Sequence, residues 1–106
     1  MKEFTVWYAK DPNFGHGPKP TLRTLKETHV ALKILTATDL EDVFHKMQGE
    51  VWSPNGEARD LIIGKGLHHT SISVGDVIHD NDNGEFYVID FEGFSVIEYT
   101  TPDGEV

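Results

Sequence analysis

Two glycine-containing turns divide the C-terminal part of the chain into three strand-like segments, and this pattern constrains the fold most strongly. Asn83-Gly84 closes a polar turn, and Glu92-Gly93 marks a second one. Asn-Gly suits the positive φ angles of tight hairpins. The segments around these turns, residues 73–78, 85–90 and 94–99, are rich in β-branched and aromatic side chains. They predict three consecutive antiparallel strands, which together form a meander.

The N-terminal part predicts two further strands and a helix. Residues 4–8 and 29–35 have the β-branched, aromatic or alternating pattern of strands. Thr38 and Glu41 have the spacing of a capping box, in which each side chain accepts a backbone N–H at the helix start. Apolar side chains follow at helical spacing, which predicts a helix over residues 38–48. These side chains are Leu40, Val43, Phe44 and Met47, and Gly49 is a natural stop.

The remaining segments carry weaker signals. Residues 11–20 contain three prolines and two glycines, which predict a loop. Residues 22–27 and 57–63 each suit a short helix, and Pro54-Asn-Gly56 predicts a turn between the predicted helices. The end of the chain, residues 101–106, is expected to be frayed.

These elements predict an α+β fold in a single domain over residues 1–106. We expect a mostly antiparallel sheet of about five strands, with one main helix (residues 38–48) packed on it and a C-terminal three-stranded meander. A chain of 106 residues suits one compact core. A curled sheet and a small barrel both remain open.

Composition excludes several classes of protein. The chain contains no cysteine, so disulfides, thiolate metal sites and cysteine nucleophiles are absent. The N-terminus lacks the pattern of a secretory signal, and no apolar run approaches the length of a transmembrane helix. We therefore expect a soluble protein of the cytoplasm.

Charge is distributed unevenly along the chain. All nine Lys and Arg residues lie at or before Lys65 and are balanced there by nine acidic residues, whereas residues 66–106 carry nine acids and no base. The net charge of −9 therefore arises from the C-terminal part. These acids are either the solvated faces and edges of strands or an acidic face for a basic partner, including one that mimics a nucleic-acid backbone. Direct nucleic-acid binding is not expected, because phosphate contacts need Lys and Arg.

His68-His69-Thr70-Ser71 is the first candidate site. Imidazole can bind metal or transfer protons near neutral pH, and the hydroxyls of Thr70 and Ser71 could hold a ligand. Adjacent side chains in an extended segment point to opposite faces, however, so His68 and His69 cannot easily bind one ion. A metal site would need further histidines from elsewhere in the chain, namely His29, His45 or His79. The alternative is that one histidine is exposed while the other makes a hydrogen bond to the backbone. No metal site is predicted.

Residues 52–60 form the second candidate site. Trp52 can anchor the segment in the core, while Glu57, Arg59 and Asp60 could form an ion-paired patch. The Arg59 guanidinium could bind a carboxylate or a phosphate through two parallel hydrogen bonds. The alternative is a loop anchored by Trp52 with solvated charges.

Two other polar motifs are interpreted as structural. Gly75-Asp76 suits the entry to a strand, with Gly75 at positive φ and Asp76 bonded to the turn backbone. The run Asp80-Asn-Asp-Asn-Gly-Glu85 departs from a calcium-binding loop, because Gly84 occupies position five and Phe91 position twelve. No catalytic residue and no cofactor are predicted.

One part of the chain resembles a known family. Ser71-Ile-Ser-Val-Gly-Asp-Val-Ile78, followed by Gly84-Glu-Phe-Tyr-Val-Ile-Asp-Phe-Glu-Gly-Phe94, resembles the YodL-like segments of phage and plasmid proteins. Trp52-Ser-Pro-Asn-Gly-Glu-Ala-Arg59 also looks like small phage proteins of unassigned role. The resemblance covers the C-terminal third well, the middle loosely and residues 1–28 not at all. It implies a phage or mobile-element accessory protein acting inside a bacterium, and it carries over no catalytic residue.

Three hypotheses about function follow. The first is a non-enzymatic binding module that binds a host protein with a basic surface, for example as an acidic inhibitor or anti-defence protein. The second is a small-ligand binder or hydrolytic enzyme that uses His68, His69 and Arg59. The third is a minor structural protein that oligomerises through a sheet edge. The predicted binding residues are Trp52, Glu57, Arg59, Asp60, His68, His69, Thr70 and Ser71.

Overall fold

A computed structural model of the protein describes residues 1–11 and 20–97, and these form a five-stranded antiparallel sheet with short helices. The α+β class is therefore confirmed. The strands are β1 (Lys2–Ala9), β2 (His29–Ala37), β3 (Val77–Asp80), β4 (Phe86–Asp90) and β5 (Gly93–Val96). The helices are α1 (Leu25–Thr28), α2 (Leu40–Lys46), α3 (Gly49–Trp52) and α4 (Arg59–Gly64).

The strand order is β2-β1-β3-β4-β5, so the N-terminal strand lies inside the sheet. It pairs with β2 on one side and with β3 on the other, which joins the two halves of the chain. The predicted C-terminal meander is confirmed by the pairing of β3 with β4 and of β4 with β5. The predicted end of the last strand and the frayed terminus lie outside the described residues, as does most of the predicted loop over residues 11–20.

Apolar clusters occupy both faces of the sheet. Because successive side chains of a strand point to opposite faces, β1 contributes Phe4, Val6 and Tyr8 to one cluster and Trp7 to the other. The larger cluster includes buried side chains of the helices and of the segment before β3, such as Val43 from α2. The smaller cluster is Leu25, Val77, Val88 and Ile97. Helices α2 and α4 therefore pack on the face that carries Tyr8.

The predicted helix over residues 38–48 is shorter than expected, and its predicted capping box is wrong. The N-cap is Asp39, whose carboxylate accepts the Asp42 N–H at 2.8 Å. The Asp42 carboxylate in turn accepts the N–H of Thr38 at 2.9 Å. Both Thr38 and Asp39 are residue types that can cap a helix. The helix begins one residue later than predicted because Asp42, three residues after Asp39, supplies the carboxylate that accepts a backbone N–H in return. Because α2 has seven residues and stands beside three other short helices in the described ranges, one main helix is not confirmed.

The other predicted helices and strands differ from the observed ones mainly in their boundaries. Helices α1 and α4 begin two or three residues after the starts predicted from sequence, and α3 was not predicted at all. Strand β3 also begins later than predicted, because a tight turn in which Asp76 N–H donates to the Ser73 carbonyl precedes it. Gly75 takes a φ of +99° in that turn, as the Gly75-Asp76 motif predicted. None of the helices in the described ranges has the length and apolar character needed to cross a lipid bilayer.

The hairpin between β3 and β4 is held by a buried carboxylate. Asp80 is 2% exposed and accepts the N–H groups of Asp82 and Asn83 at 2.9 and 3.2 Å. It also forms an ion pair with Lys2 at the start of β1. Burial acts to raise the pKa of Asp80, but the Lys2 ammonium and the two N–H groups outweigh it, so that the pKa lies below its usual value.

We expect Asp80→Asn to lower the free energy of unfolding by about 1–2 kcal/mol at pH 7, because a charged acceptor makes stronger hydrogen bonds. Since the folded-state pKa is depressed, this contribution is complete above about pH 4 and is lost as the pH falls through the folded-state pKa. Urea denaturation over a series of pH values measures both effects. The exposed Asp82 provides the control, for which Asp82→Asn should change stability by less than about 0.5 kcal/mol. Equal losses in the two variants would contradict this role of Asp80.

Candidate binding cleft

A cleft of about 320 Å³ opens beside α3 and α4, within the region that contains the predicted binding residues. Its wall is mainly apolar, with two hydroxyl side chains and one guanidinium. The lining residues are Gly49, Ser53, Gly56, Arg59, Ile62, Ile63 and Thr70. Arg59 and Thr70 are therefore the two predicted site residues that reach the cleft.

One face of α4 forms much of the wall. Arg59, Ile62 and Ile63 have the i, i+3, i+4 spacing that places side chains on the same helix face. Ile62 is 5% exposed and belongs to the core, whereas Ile63 is 62% exposed. The start of the helix is held by Ser53, whose hydroxyl oxygen accepts the N–H of Ala58 at 2.9 Å. The isoleucines were missed as site residues, although their spacing from Arg59 could have indicated them.

A close approach between α3 and the segment before β3 shapes another side of the cleft. Gly49 N–H donates to the Ser71 hydroxyl oxygen at 2.7 Å. A Cβ at Gly49 would lie 3.0 Å from that oxygen and 3.6 Å from the Thr70 methyl carbon. Glycine thus allows the two segments to meet, and Ser71 is engaged in this contact.

The Thr70 carbonyl is fixed by two donors from different elements. It accepts the Tyr8 hydroxyl at 2.6 Å and the Trp52 indole N–H at 3.1 Å. On the sheet side, the Lys33 ammonium lies 5.2 Å from the centroid of the Trp52 ring. Trp52 therefore anchors the cleft region, as expected from the sequence.

A buried carboxylate supports this wall from behind. Asp76 is 1% exposed and accepts the N–H of Ala9 at 2.8 Å, the N–H of Ser73 at 2.9 Å and Nε2 of His69 at 2.8 Å. The His69 ring stacks on Tyr8 with centroids 4.7 Å apart. Burial, with the nearby Asp76 charge, raises the pKa of Tyr8, so its hydroxyl remains a donor to the Thr70 carbonyl.

The five histidines that the structure describes do not converge on a metal site. His68 is exposed while His69 is turned inward, as expected for adjacent side chains, although the partner of His69 is a carboxylate and not the backbone. His29 holds the turn by donating to the Gly75 carbonyl at 2.7 Å. His79 stacks on Phe86 on the opposite side of the sheet. Within residues 1–11 and 20–97, no group of three or more His, Asp or Glu side chains could hold a metal ion.

The predicted ion-paired patch of Glu57, Arg59 and Asp60 does not form within the described ranges. Glu57 is exposed and accepts the backbone and side-chain N–H groups of Asn55 at 2.8 and 3.2 Å. The Asn55 backbone N–H lowers the pKa of Glu57. Asp60 is exposed, and the side chain of Arg59 makes no ion pair or hydrogen bond with the described part of the chain. The Arg59 guanidinium is therefore available at the cleft.

The acids of the C-terminal half do not form one face among the described residues. Asp76 and Asp80 are buried and internally bonded. The remaining described acids lie at the two ends of β4, about 17 Å apart along a five-residue strand. These are Asp82 and Glu85 at one end, with Asp90 and Glu92 at the other. Glu98, Asp103 and Glu105 lie outside the described residues.

Comparison of the chain with protein-family models, curated proteins and solved structures finds no match. The resemblance of residues 71–94 to YodL-like segments therefore stays a prediction.

The adjacent histidines provide a test of the buried network. We expect His69→Ala to lower the free energy of unfolding by about 2 kcal/mol, because it removes the Tyr8 stacking and leaves Asp76 with one donor fewer. His68→Ala should change stability by less than about 0.5 kcal/mol, since His68 is exposed. Urea denaturation of both variants measures the difference. Similar stabilities for the two variants would show that the His69–Asp76 contact does not hold the cleft wall.

Proposed function

We propose that the protein is a non-enzymatic binding module whose cleft takes up an apolar side chain of a protein partner. The observation that carries this proposal is the mainly apolar wall, in which Ile63 is 62% exposed at the surface of a folded domain. An apolar side chain from a partner would remove this wall from water, which is favourable in proportion to the area buried.

The placement of the acid–base groups favours binding over the hydrolytic alternative. His69, Asp76 and Tyr8 hydrogen-bond and stack behind the Thr70 carbonyl, where they support the wall. His68 lies on the exposed side of the chain. Of the described lining residues, Arg59 alone has an ionisable side chain, and it stays charged at all ordinary pH values. The region thus has the features of a binding surface, and it does not present an acid–base pair to a ligand.

The context of the proposal comes from sequence. The resemblance to YodL-like segments supports a phage or mobile-element accessory protein that acts on a host protein in a bacterium, for example as an inhibitor or anti-defence protein. The net charge of −9 favours a partner with a basic surface around the apolar side chain.

Two equally exposed isoleucines allow a matched test of the cleft. We expect Ile63→Gln to weaken capture of the partner at least about tenfold, because the apolar wall loses the area that the partner buries. Ile34→Gln, on the edge strand β2, should capture the partner like the unmodified protein, since Ile34 is 59% exposed and lies outside the cleft. Affinity capture from bacterial lysate, quantified by mass spectrometry for the three proteins, measures the difference.

The same variants address the other hypotheses. If Ile63→Gln retains every captured protein, the cleft is not the binding surface. If Ile34→Gln instead removes the captured protein, or converts a scattering mass of several chains to that of one, oligomerisation through the edge of β2 becomes the better account.

Salt dependence tests the charge of the partner. We expect the affinity for the captured partner to fall steeply when sodium chloride is raised from about 50 mM to about 500 mM, because the Debye length shortens from more than 10 Å to less than 8 Å. Titration calorimetry with the purified partner measures the affinity at each concentration. An affinity that does not change with salt would contradict a basic partner surface and leave the apolar cleft as the sole basis of binding.

A further inference from the structure

The polar groups of the cleft point to the chemistry of its occupant. We propose, on the basis of the binding function above, that the cleft receives the C-terminal residue of a partner chain, with its apolar side chain in the cleft and its carboxylate on Arg59. The wall carries an occupied carbonyl acceptor beside free side-chain donors, and this asymmetry favours an occupant that accepts hydrogen bonds.

The Thr70 carbonyl and one acceptor site of the Ser53 hydroxyl are already used, which leaves hydroxyl oxygens as the open side-chain acceptors of the wall. The Thr70 carbonyl accepts two internal donors, from Tyr8 and Trp52. The Ser53 hydroxyl oxygen accepts the N–H of Ala58. Among the described lining residues there is no Asp, Glu or His. An occupant that mainly donates hydrogen bonds would therefore find few partners.

The donors of the wall remain free. The Arg59 guanidinium carries five N–H donors and makes no hydrogen bond or ion pair within residues 1–11 and 20–97. The Ser53 hydroxyl still has its own proton to donate, because its hydrogen bond to Ala58 uses only the oxygen. A carboxylate offers two charged acceptor oxygens, and the guanidinium matches their spacing with two parallel bonds.

The size of the cleft indicates where this carboxylate comes from. A volume of about 320 Å³ lies at the lower end of the range for ligand pockets, which suits a single residue better than a folded segment. An internal Asp or Glu would need a neighbouring residue to supply the apolar group. The last residue of a chain carries both groups, an apolar side chain and a carboxylate, on one Cα atom.

The test uses small probes and the full-length protein. Amide shifts of Gly49, Gly56 and Thr70 are followed by ¹H–¹⁵N NMR during titration with N-acetyl-L-leucine, N-acetyl-L-leucinamide and N-acetylglycine. We expect saturable shifts with N-acetyl-L-leucine, and affinity about tenfold weaker for the amide, which lacks the charged acceptor. N-acetylglycine should also bind about tenfold more weakly, because it lacks the apolar side chain.

A charge-matched pair of variants assigns the preference to Arg59. Arg59→Gln should make the acid and the amide bind with equal affinity. Lys65→Gln removes the same charge just after α4 at an exposed position outside the cleft, and it should keep the tenfold preference. Two peptides distinguish the source of the carboxylate. One peptide ends in leucine with a free C-terminal carboxylate. The other has an amidated C-terminus and an internal Glu-Leu pair. The first peptide should bind more tightly.

The outcomes separate this inference from the proposed function. Equal binding of acid and amide to the unmodified protein, absence of saturable shifts at the cleft, or tighter binding of the amidated peptide would overturn the C-terminal carboxylate. If Ile63→Gln still weakens partner capture in such a case, the cleft remains the binding surface although its occupant is not a C-terminal carboxylate. If Ile63→Gln has no effect on capture, the proposed function fails as well.

Discussion

The arrangement of the cleft depends on the hydrogen bonds that the buried carboxylate of Asp76 accepts. This carboxylate accepts one N–H from the end of β1, one from the turn before β3 and the imidazole N–H of His69. A charge this deeply buried is tolerated because charge-assisted hydrogen bonds replace its water shell. The contact ties the segment before β3 to β1, an interior strand of the sheet. Through the stacked Tyr8 and His69 rings, it also determines where the Thr70 carbonyl lies.

The interior behind the cleft wall holds paired acceptors, whereas the residues that line the cleft carry free donors, and this difference indicates what the cleft can bind. Behind the wall, the acceptors are met by internal donors from the sheet and from α3. At the surface, the donors of Arg59 and Ser53 face an apolar cleft. Because an unpaired buried group is costly, this division favours an occupant that brings acceptors together with apolar surface. The net negative charge affects the approach of a partner more than this contact, since the acids within residues 66–97 are either buried or separated along β4.

The elements with strong sequence patterns were predicted well, whereas short helices and their boundaries were not. The meander and the two N-terminal strands follow from alternating side chains and from turns with few allowed conformations. At the start of α2, Thr38 and Asp39 both suit the N-cap, and the choice depends on the reciprocal acceptor Asp42. Helix α3 is four residues long, too short for a hydrophobic period to reveal. Of the residues that line the cleft, the sequence indicated Arg59 and Thr70, but it missed Ile62 and Ile63 because they look like ordinary core positions.

The sequence by itself determined the α+β class, the C-terminal meander, the opposite orientation of His68 and His69 and the structural character of the Gly75-Asp76 motif. These properties depend on neighbours along the chain, through side-chain alternation, backbone conformation and local hydrogen bonds. The tertiary structure decided that β1 lies inside the sheet, that His69 pairs with Asp76 beside Tyr8, and that Gly49, Arg59 and Thr70 line one cleft. Those outcomes bring together residues distant in sequence. They are set by which apolar faces can be buried together and which polar groups can be paired once that burial has occurred.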